Sequence, residues 1–291
     1  MLSLRNGHKL YWVAIHTMPT LPPHAFDRFA VREHDQAIRL ILALRGFHQR
    51  KYPRPAREVH RLREGQAHRL YAHNAFARER WMRALGGQLC AALGARPPRY
   101  RPVQPVWLVT LIDRRQIVRG PDPAGWRRPD PTFREIRRTY AAAMTGLDYV
   151  GLLDPALFVS TQRQEGVPRF IQWHLHTLVW SISRAELDAW ADGVRATMDA
   201  YLPGASSVDI SPVEPEDLLQ MLWYTAKMPR KQYQLSRRES GSLKQYKGQI
   251  NGVNAVRLYA ALRPLRLPHL TLAGGAGRPI RRRTLRTAAH W

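Results

Sequence analysis

Apolar and polar positions follow two different periods along this chain, and the switches between them mark out its elements. Val106-Trp107-Leu108-Val109-Thr110-Leu111-Ile112 is apolar or β-branched throughout, short, and bounded by proline before and charge after, which predicts a buried central strand. Phe133, Ile136 and Tyr140 then recur at helical spacing up to Gly146, with Asp130 as cap and Pro131 as first-turn residue. Leu157 to Gln164 and Phe170 to Ile182 read as strands again. Glu165-Gly166-Val167-Pro168 between them has turn composition, so the two are expected to form an antiparallel hairpin. Ser183 and Glu186 make a capping box ahead of Leu187, Trp190, Val194 and Met198, one face of a helix that stops near Pro203-Gly204. Ser207 to Ile210 can form a further short strand. Pro215 suits a first helical position, Glu216 and Asp217 suit the positive end of a helix dipole, and Pro229 bars continuation. Together they place Leu218 to Met228 on a helix.

On either side of this region the chain turns basic. Residues 1–100 are rich in Arg, His and Ala, with helical spacing from Glu58 to Ala95 and a basic face through Arg61, Arg63, Arg69, Arg78, Arg80 and Arg83. Such a face is either solvated or in contact with DNA. Arg96-Pro97-Pro98-Arg99, followed by Pro102 and Pro105, reads as a linker or entry loop. After residue 230 come the polar, basic stretch Lys231 to Lys247 and a tail with Gly274-Gly275-Ala276-Gly277-Arg278-Pro279 and Arg281-Arg282-Arg283. The expected fold is α+β: a central antiparallel sheet with flanking helices over residues 101–230. A basic, mainly helical region at 1–100 precedes it, and a basic, partly flexible C-terminal extension at 231–291 follows.

Charge narrows the choice of partner. Lys and Arg number 46 against 22 Asp and Glu in 291 residues, a formal charge of +24 that repels itself unless a polyanion shares the surface. Nucleic acid is the expected partner. No run of about 18 apolar residues exists, and the most apolar stretch, Ile171 to Ile182, is interrupted by two histidines, so no membrane association is expected. The opening MLSLRNGHKLYW does not have the pattern of a secretion signal. Cys90 is the only cysteine, which excludes internal disulfides and a cysteine-built zinc cage and suits a reducing, cytoplasmic setting.

The candidate chemistry lies in two short motifs. On a strand, side chains alternate between faces, so His174 and His176 point the same way while Leu175, Thr177 and Val179 point the other. That spacing suits two neighbouring ligands of one divalent metal, although an isolated His-x-His reads more readily as two hydrogen-bonded sheet histidines. On the helix downstream, Tyr224 and Lys227 are three apart and share a face, with Gln220 one turn earlier. A phenol, with a pKa of about 10, is a poor nucleophile at neutral pH. A metal that polarises a phosphate, and a lysine that stabilises developing charge or assists deprotonation, would supply what it lacks. Taken singly, Tyr224 and Lys227 also read as an amphipathic-helix tyrosine and a solvating lysine.

Taken in order, the strand with Thr110, a helix, a hairpin with His174-Leu175-His176, a helix, a strand, and a helix with Tyr224-Thr225-Ala226-Lys227 resemble the HUH endonuclease superfamily. The resemblance covers roughly residues 103–230, less than half the chain. It implies that Tyr224 attacks a phosphate of single-stranded DNA, forming a 5′-phosphotyrosine link and freeing a 3′-hydroxyl. A polymerase could extend that hydroxyl, or it could attack the link and rejoin a strand, without a nucleotide cofactor. The next tyrosine, Tyr233, lies past Pro229 and off the helix face. The resemblance is therefore to single-tyrosine rolling-circle initiators of plasmids or phages, or to transposase-like enzymes, rather than to relaxases with paired tyrosines. It also implies Mg²⁺ or Mn²⁺, although two histidines would take Zn²⁺ or Co²⁺ as well. A third polar metal ligand is implied too, for which Gln162, Gln164, Glu165 and Gln220 are candidates and Gln162 is preferred as the one able to approach diagonally across the hairpin. The partners implied are single-stranded DNA, in some members with a hairpin origin, and a host helicase and polymerase, since no Gly-x-x-x-x-Gly-Lys loop is present.

Other families with His-x-His fit less well. Histidine-triad hydrolases need a histidine where Leu178 stands, and phosphodiesterases with His-x-Thr repeats need a spacer where Thr177 directly follows His176. A non-catalytic basic DNA-binding protein remains the alternative, with charge for phosphates and Trp and Tyr for stacking. Gly277-Arg278-Pro279 with the following arginines resembles a minor-groove hook, but its three-residue core reads more readily as a solvated tail.

Overall fold

The structure, a computed structural model, describes residues 21, 26–46, 55–96, 99–119, 132–160, 169–202, 204–237, 243–250 and 252–290. Helices α1 (Asp27–Arg45), α2 (Pro55–Arg61) and α3 (Ala75–Ala92) lead into β1 (Val106–Arg119), α4 (Phe133–Ala143), and the pair β2 (Asp148–Ser160) and β3 (Phe170–Trp180). Then come α5 (Arg184–Arg195), β4 (Val208–Pro212), α6 (Leu218–Ala226), β5 (Lys231–Arg237), β6 (Leu243–Gln249), α7 (Gly252–Leu262), the single turn α8 (Leu267–Leu270), β7 (Thr271–Gly274) and α9 (Gly277–Ala289). Among the described residues no helix is long and apolar enough to cross a membrane.

The architecture is α+β around a seven-stranded sheet ordered β4-β1-β3-β2-β5-β6, with β7 also on β2. β2 is long enough to share one edge between two neighbours: Tyr149 to Leu152 pair with β7, and Leu157 to Ser160 pair with β5. The expectation of an antiparallel sheet holds for β4, β1, β3 and β2, but β2 and β5 run parallel and the sheet is mixed. β2 also begins at Asp148, well before the expected Leu157. Gly151 allows this early pairing, because a Cβ there would collide with the His176 carbonyl oxygen and the Thr177 backbone across the ladder.

Capping follows local chemistry. Thr132 and Glu135 form a reciprocal capping box on α4 and Ser183 and Glu186 do so on α5. The cap of α4 is therefore Thr132, whereas the expected Asp130 and Pro131 lie outside the described residues. α6 ends at Ala226 rather than Met228, and Lys227 is extended with ψ 149°. A residue before proline avoids the helical region, and the Met228 N–H is instead taken by the buried carboxylate of Glu33 at 2.9 Å.

Described residues on both sides of 101–230 join the core and the sheet. One apolar core runs from Leu21 through Trp81, Leu85 and Leu89 of α3 and the sheet to Ile280 and Ala288 of α9. Gly86 lets α3 approach closely, since a Cβ there would press on Leu21, Phe26 and Leu222. Arg78, read from the sequence as part of a basic face, is 3% exposed and its guanidinium donates to the carbonyls of Ala72 and Ala226. Arg83 is engaged by Glu79 and Asp27, and Arg61 by Glu58. The stretch set apart as an extension contributes β5, β6 and β7 to the sheet, and Gly277-Arg278-Pro279 begins α9 rather than a free hook.

Candidate active site

Register converts the sequence motifs into a site. β3 pairs Thr110 and Ile112 of β1 with His176 and His174, and on its other side pairs Leu152 and Asp154 of β2 with the same two histidines. Residues directly opposed in an antiparallel ladder point to one face, so Thr110, His174, His176 and Asp154 converge on that face. Asp209 of β4, opposite Thr110, lies at its rim. The alternation also puts Gln172 on the histidine face, where it is 3% exposed and its amide nitrogen has no hydrogen-bond partner among the described residues.

The His176 ring is held at both ends. Its Nδ1 lies 2.9 Å from the Thr110 hydroxyl and its Nε2 lies 3.7 Å from Asp154 Oδ2. The His174 and His176 rings stand edge to face with centroids 6.0 Å apart, and the His176 ring is 5.3 Å from that of Tyr224. α6 thus brings the Tyr224 ring against that of His176. Lys227 has left the helix, yet it folds back: Nζ donates to the Tyr224 carbonyl at 3.0 Å and sits 3.3 Å from the Tyr224 ring centroid.

Electrostatics follow from the burial of these groups beside one another. Burial, helped by neighbouring His176 and Lys227, pushes His174 down to about 3, so its imidazole is neutral at physiological pH. Burial opposes the charged form of Asp154, but the hydrogen bond from His176 and the Lys227 charge outweigh it and hold the carboxyl below its usual range. Burial, then the carboxylates of Asp154 and Asp209, raise the Tyr224 phenol above its ordinary value. Burial lowers Lys227, with Lys247 and Arg230 adding to it against the pull of Asp154 and Glu33. A protonated phenol beside a less basic amine is the resting state.

The residues present fit a divalent cation by type of donor. Buried His174 Nε2 lacks a partner among the described residues, and His176 Nε2 and Asp154 Oδ2 are separated by a distance that two bonds of roughly 2.0–2.2 Å to one ion can span. No group of three or more His, Cys, Asp or Glu is gathered in metal-binding geometry among the described residues, so these side chains would have to adjust to bind.

Of the residues expected from the sequence, His174, His176, Tyr224 and Lys227 come together. Gln162, Gln164 and Glu165 lie outside the described residues. The β2 position opposite His174, which Gln162 was expected to approach, belongs to Asp154. Gln220 lines a cleft next to Tyr224. Tyr233 stands on β5, stacked on Phe158 with centroids 4.9 Å apart, and burial followed by the charges of Asp154 and Tyr224 pushes its phenol up to about 12. Sequence reasoning missed Asp154 and Gln172. The period-two alternation that paired the histidines would have found Gln172 one step back, whereas Asp154 needed the register. No family model, no curated protein and no solved structure matches the chain.

Proposed function

We propose that this chain nicks and rejoins single-stranded DNA at a specific site, with Tyr224 as nucleophile and a divalent ion, Mg²⁺ or Mn²⁺, at His174 and His176. The observation that carries the reading is the approach of Tyr224 to His176, ring centroids 5.3 Å apart, on the sheet face that also holds His174 and Asp154. His174, His176 and Asp154 would hold the ion, whose contribution is to draw electron density from the scissile phosphate.

The Tyr224 oxygen attacks phosphorus and the bond from phosphorus to the 3′-oxygen breaks. The phenol proton leaves to a base, the departing 3′-oxygen takes up a proton, and the strand's 5′-phosphate stays on Tyr224. Lys227, which burial lowers and which contacts the Tyr224 ring, would accept the phenol proton or offset charge on the phosphate. Attack by a 3′-hydroxyl on the same phosphorus reverses the step. Such chemistry serves initiation of rolling-circle replication of a plasmid or phage, and equally transposition or transfer.

A second reading, a non-catalytic basic protein that binds DNA, is favoured by one feature: the Tyr224 phenol is raised and its ring is covered by Lys227. Mass spectrometry after incubation with single-stranded DNA and Mn²⁺ separates the two. The nicking reading requires a covalent adduct on Tyr224 that Tyr224→Phe and chelator both abolish. An adduct retained by the Phe variant refutes the nucleophile, and absence of any adduct leaves the binding protein.

A further inference from the structure

Next to Tyr224 the surface opens into a cleft of about 300 Å³ between α6 and α1, with Arg28, Phe29 and Arg32 on the α1 side. A second hollow of about 630 Å³ adjoins it, sharing Arg32 and Arg230, and continues past Arg39 to Lys231. The two make one groove that leaves the phenol and follows α1.

Its α1 wall is a row of cations. Arg28, Arg32 and Arg39, at helical spacings of four and seven, share one exposed face, a row about 16 Å long at 1.5 Å per residue. Arg28 and Arg32 have no carboxylate partner among the described residues, whereas Arg39 shares Asp35 at 3.1 Å in an exposed pair. The opposite wall adds Lys227 and Arg230. Half-buried Phe29, stacked on Trp223 with centroids 5.1 Å apart, offers an aromatic surface beside Tyr224. Buried Glu33 clamps the two walls: it accepts from Arg230 at 2.5 Å and from the Met228 N–H, which fixes α1 against the segment leaving α6.

We infer that this groove is the track of single-stranded DNA at Tyr224, with Arg28 and Arg32 contacting phosphates and Phe29 receiving a base. Unpaired cations in a row suit a phosphate backbone, and an aromatic ring set among them requires a base freed from its partner, which selects a single strand over a duplex. The inference deepens the nicking reading, yet it draws on α1, which lies outside residues 103–230 that carry the family resemblance.

The test is fluorescence anisotropy of a labelled mixed-sequence 30-mer against the full chain, in chelator and with Tyr224→Phe, so that neither metal nor covalent chemistry contributes. Arg28→Ala/Arg32→Ala is expected to weaken binding at least tenfold and to reduce the logarithmic salt slope by about 1.4, two contacts at roughly 0.7 each. Arg282→Ala/Arg286→Ala, which removes the same charge from exposed positions on α9, is expected to leave both unchanged. Arg32→Glu alone serves as a second variant, and thermal melting confirms that each chain is folded. An unaltered slope in the α1 variants, an equal loss in the α9 control, equal weakening for the duplex, or no binding by the parent chain overturns the inference. Loss of binding in the α1 variants with no adduct from the wild-type chain keeps the track and removes the nicking reading. An adduct with unaltered binding does the reverse.

Discussion

Replacing Thr110 by valine probes how the fold orients His176. The substitution keeps β-branching and strand propensity in β1 and removes only the hydroxyl that lies 2.9 Å from His176 Nδ1. His176 is 5% exposed, so water has little access to replace the lost partner. A net hydrogen bond of this kind contributes about 0.5–1.5 kcal/mol, which at roughly 2–4 °C per kcal/mol lowers the melting temperature by about 1–6 °C. The larger effect is expected on the ion. A group that fixes the tautomer and ring direction of a histidine ligand is typically worth 10–100-fold in metal affinity, because the free imidazole must otherwise be oriented during binding. Isothermal titration of Mn²⁺ into wild type and Thr110→Val measures this directly, and Thr110→Ser should restore most of the affinity. Equal Mn²⁺ affinity in wild type and valine variant, with only the melting temperature altered, would refute the reasoning: the hydroxyl would then merely join β1 to β3.

Other perturbations follow from the same site and core. His73 and His174 are both held at about 3 by burial, so between that value and 6.5 only the unfolded chain takes the proton. Stability is therefore fully present above pH 6.5 and falls with decreasing pH by about 1.4 kcal/mol per unit for each histidine. Urea unfolding in chelator between pH 7.5 and 5 should show the slope, His73→Leu should remove about half of it, and a flat profile would contradict both assignments. Arg78→Met strips the carbonyls of Ala72 and Ala226 of their buried donor, at roughly 2–6 kcal/mol for two unsatisfied groups. Because Ala226 ends the helix that carries Tyr224, adduct yield should fall as well; a loss of stability below about 1 kcal/mol in urea would argue against a structural role. Since the Tyr224 phenol lies above its ordinary value, the adduct rate should climb about tenfold per pH unit from 7 to 9 as the phenolate fraction grows. A plateau inside that range would mean that another group titrates.

Much of this protein is written in local order. Alternation along a strand is a property of the backbone alone, so residues 172, 174 and 176 had to share a face once Phe170–Trp180 was extended. Thr132 with Glu135 and Ser183 with Glu186 cap their helices through contacts three residues apart, within reach of sequence reasoning. Arg78, in contrast, looks like any surface arginine until α3 is packed on α6, where the Ala226 carbonyl joins that of nearby Ala72 in claiming it. The parallel pairing of β5 with β2 left no signal in Lys231 to Arg237, whose residues read as part of a basic, polar extension. Asp154 and Thr110 flank the histidines because of a register between strands far apart in sequence, and the distance from Tyr224 to His176 depends on how α6 lies over the sheet. Local periodicity states which side chains look the same way; what they meet there is decided by long-range packing, in which many distant contacts choose one arrangement together.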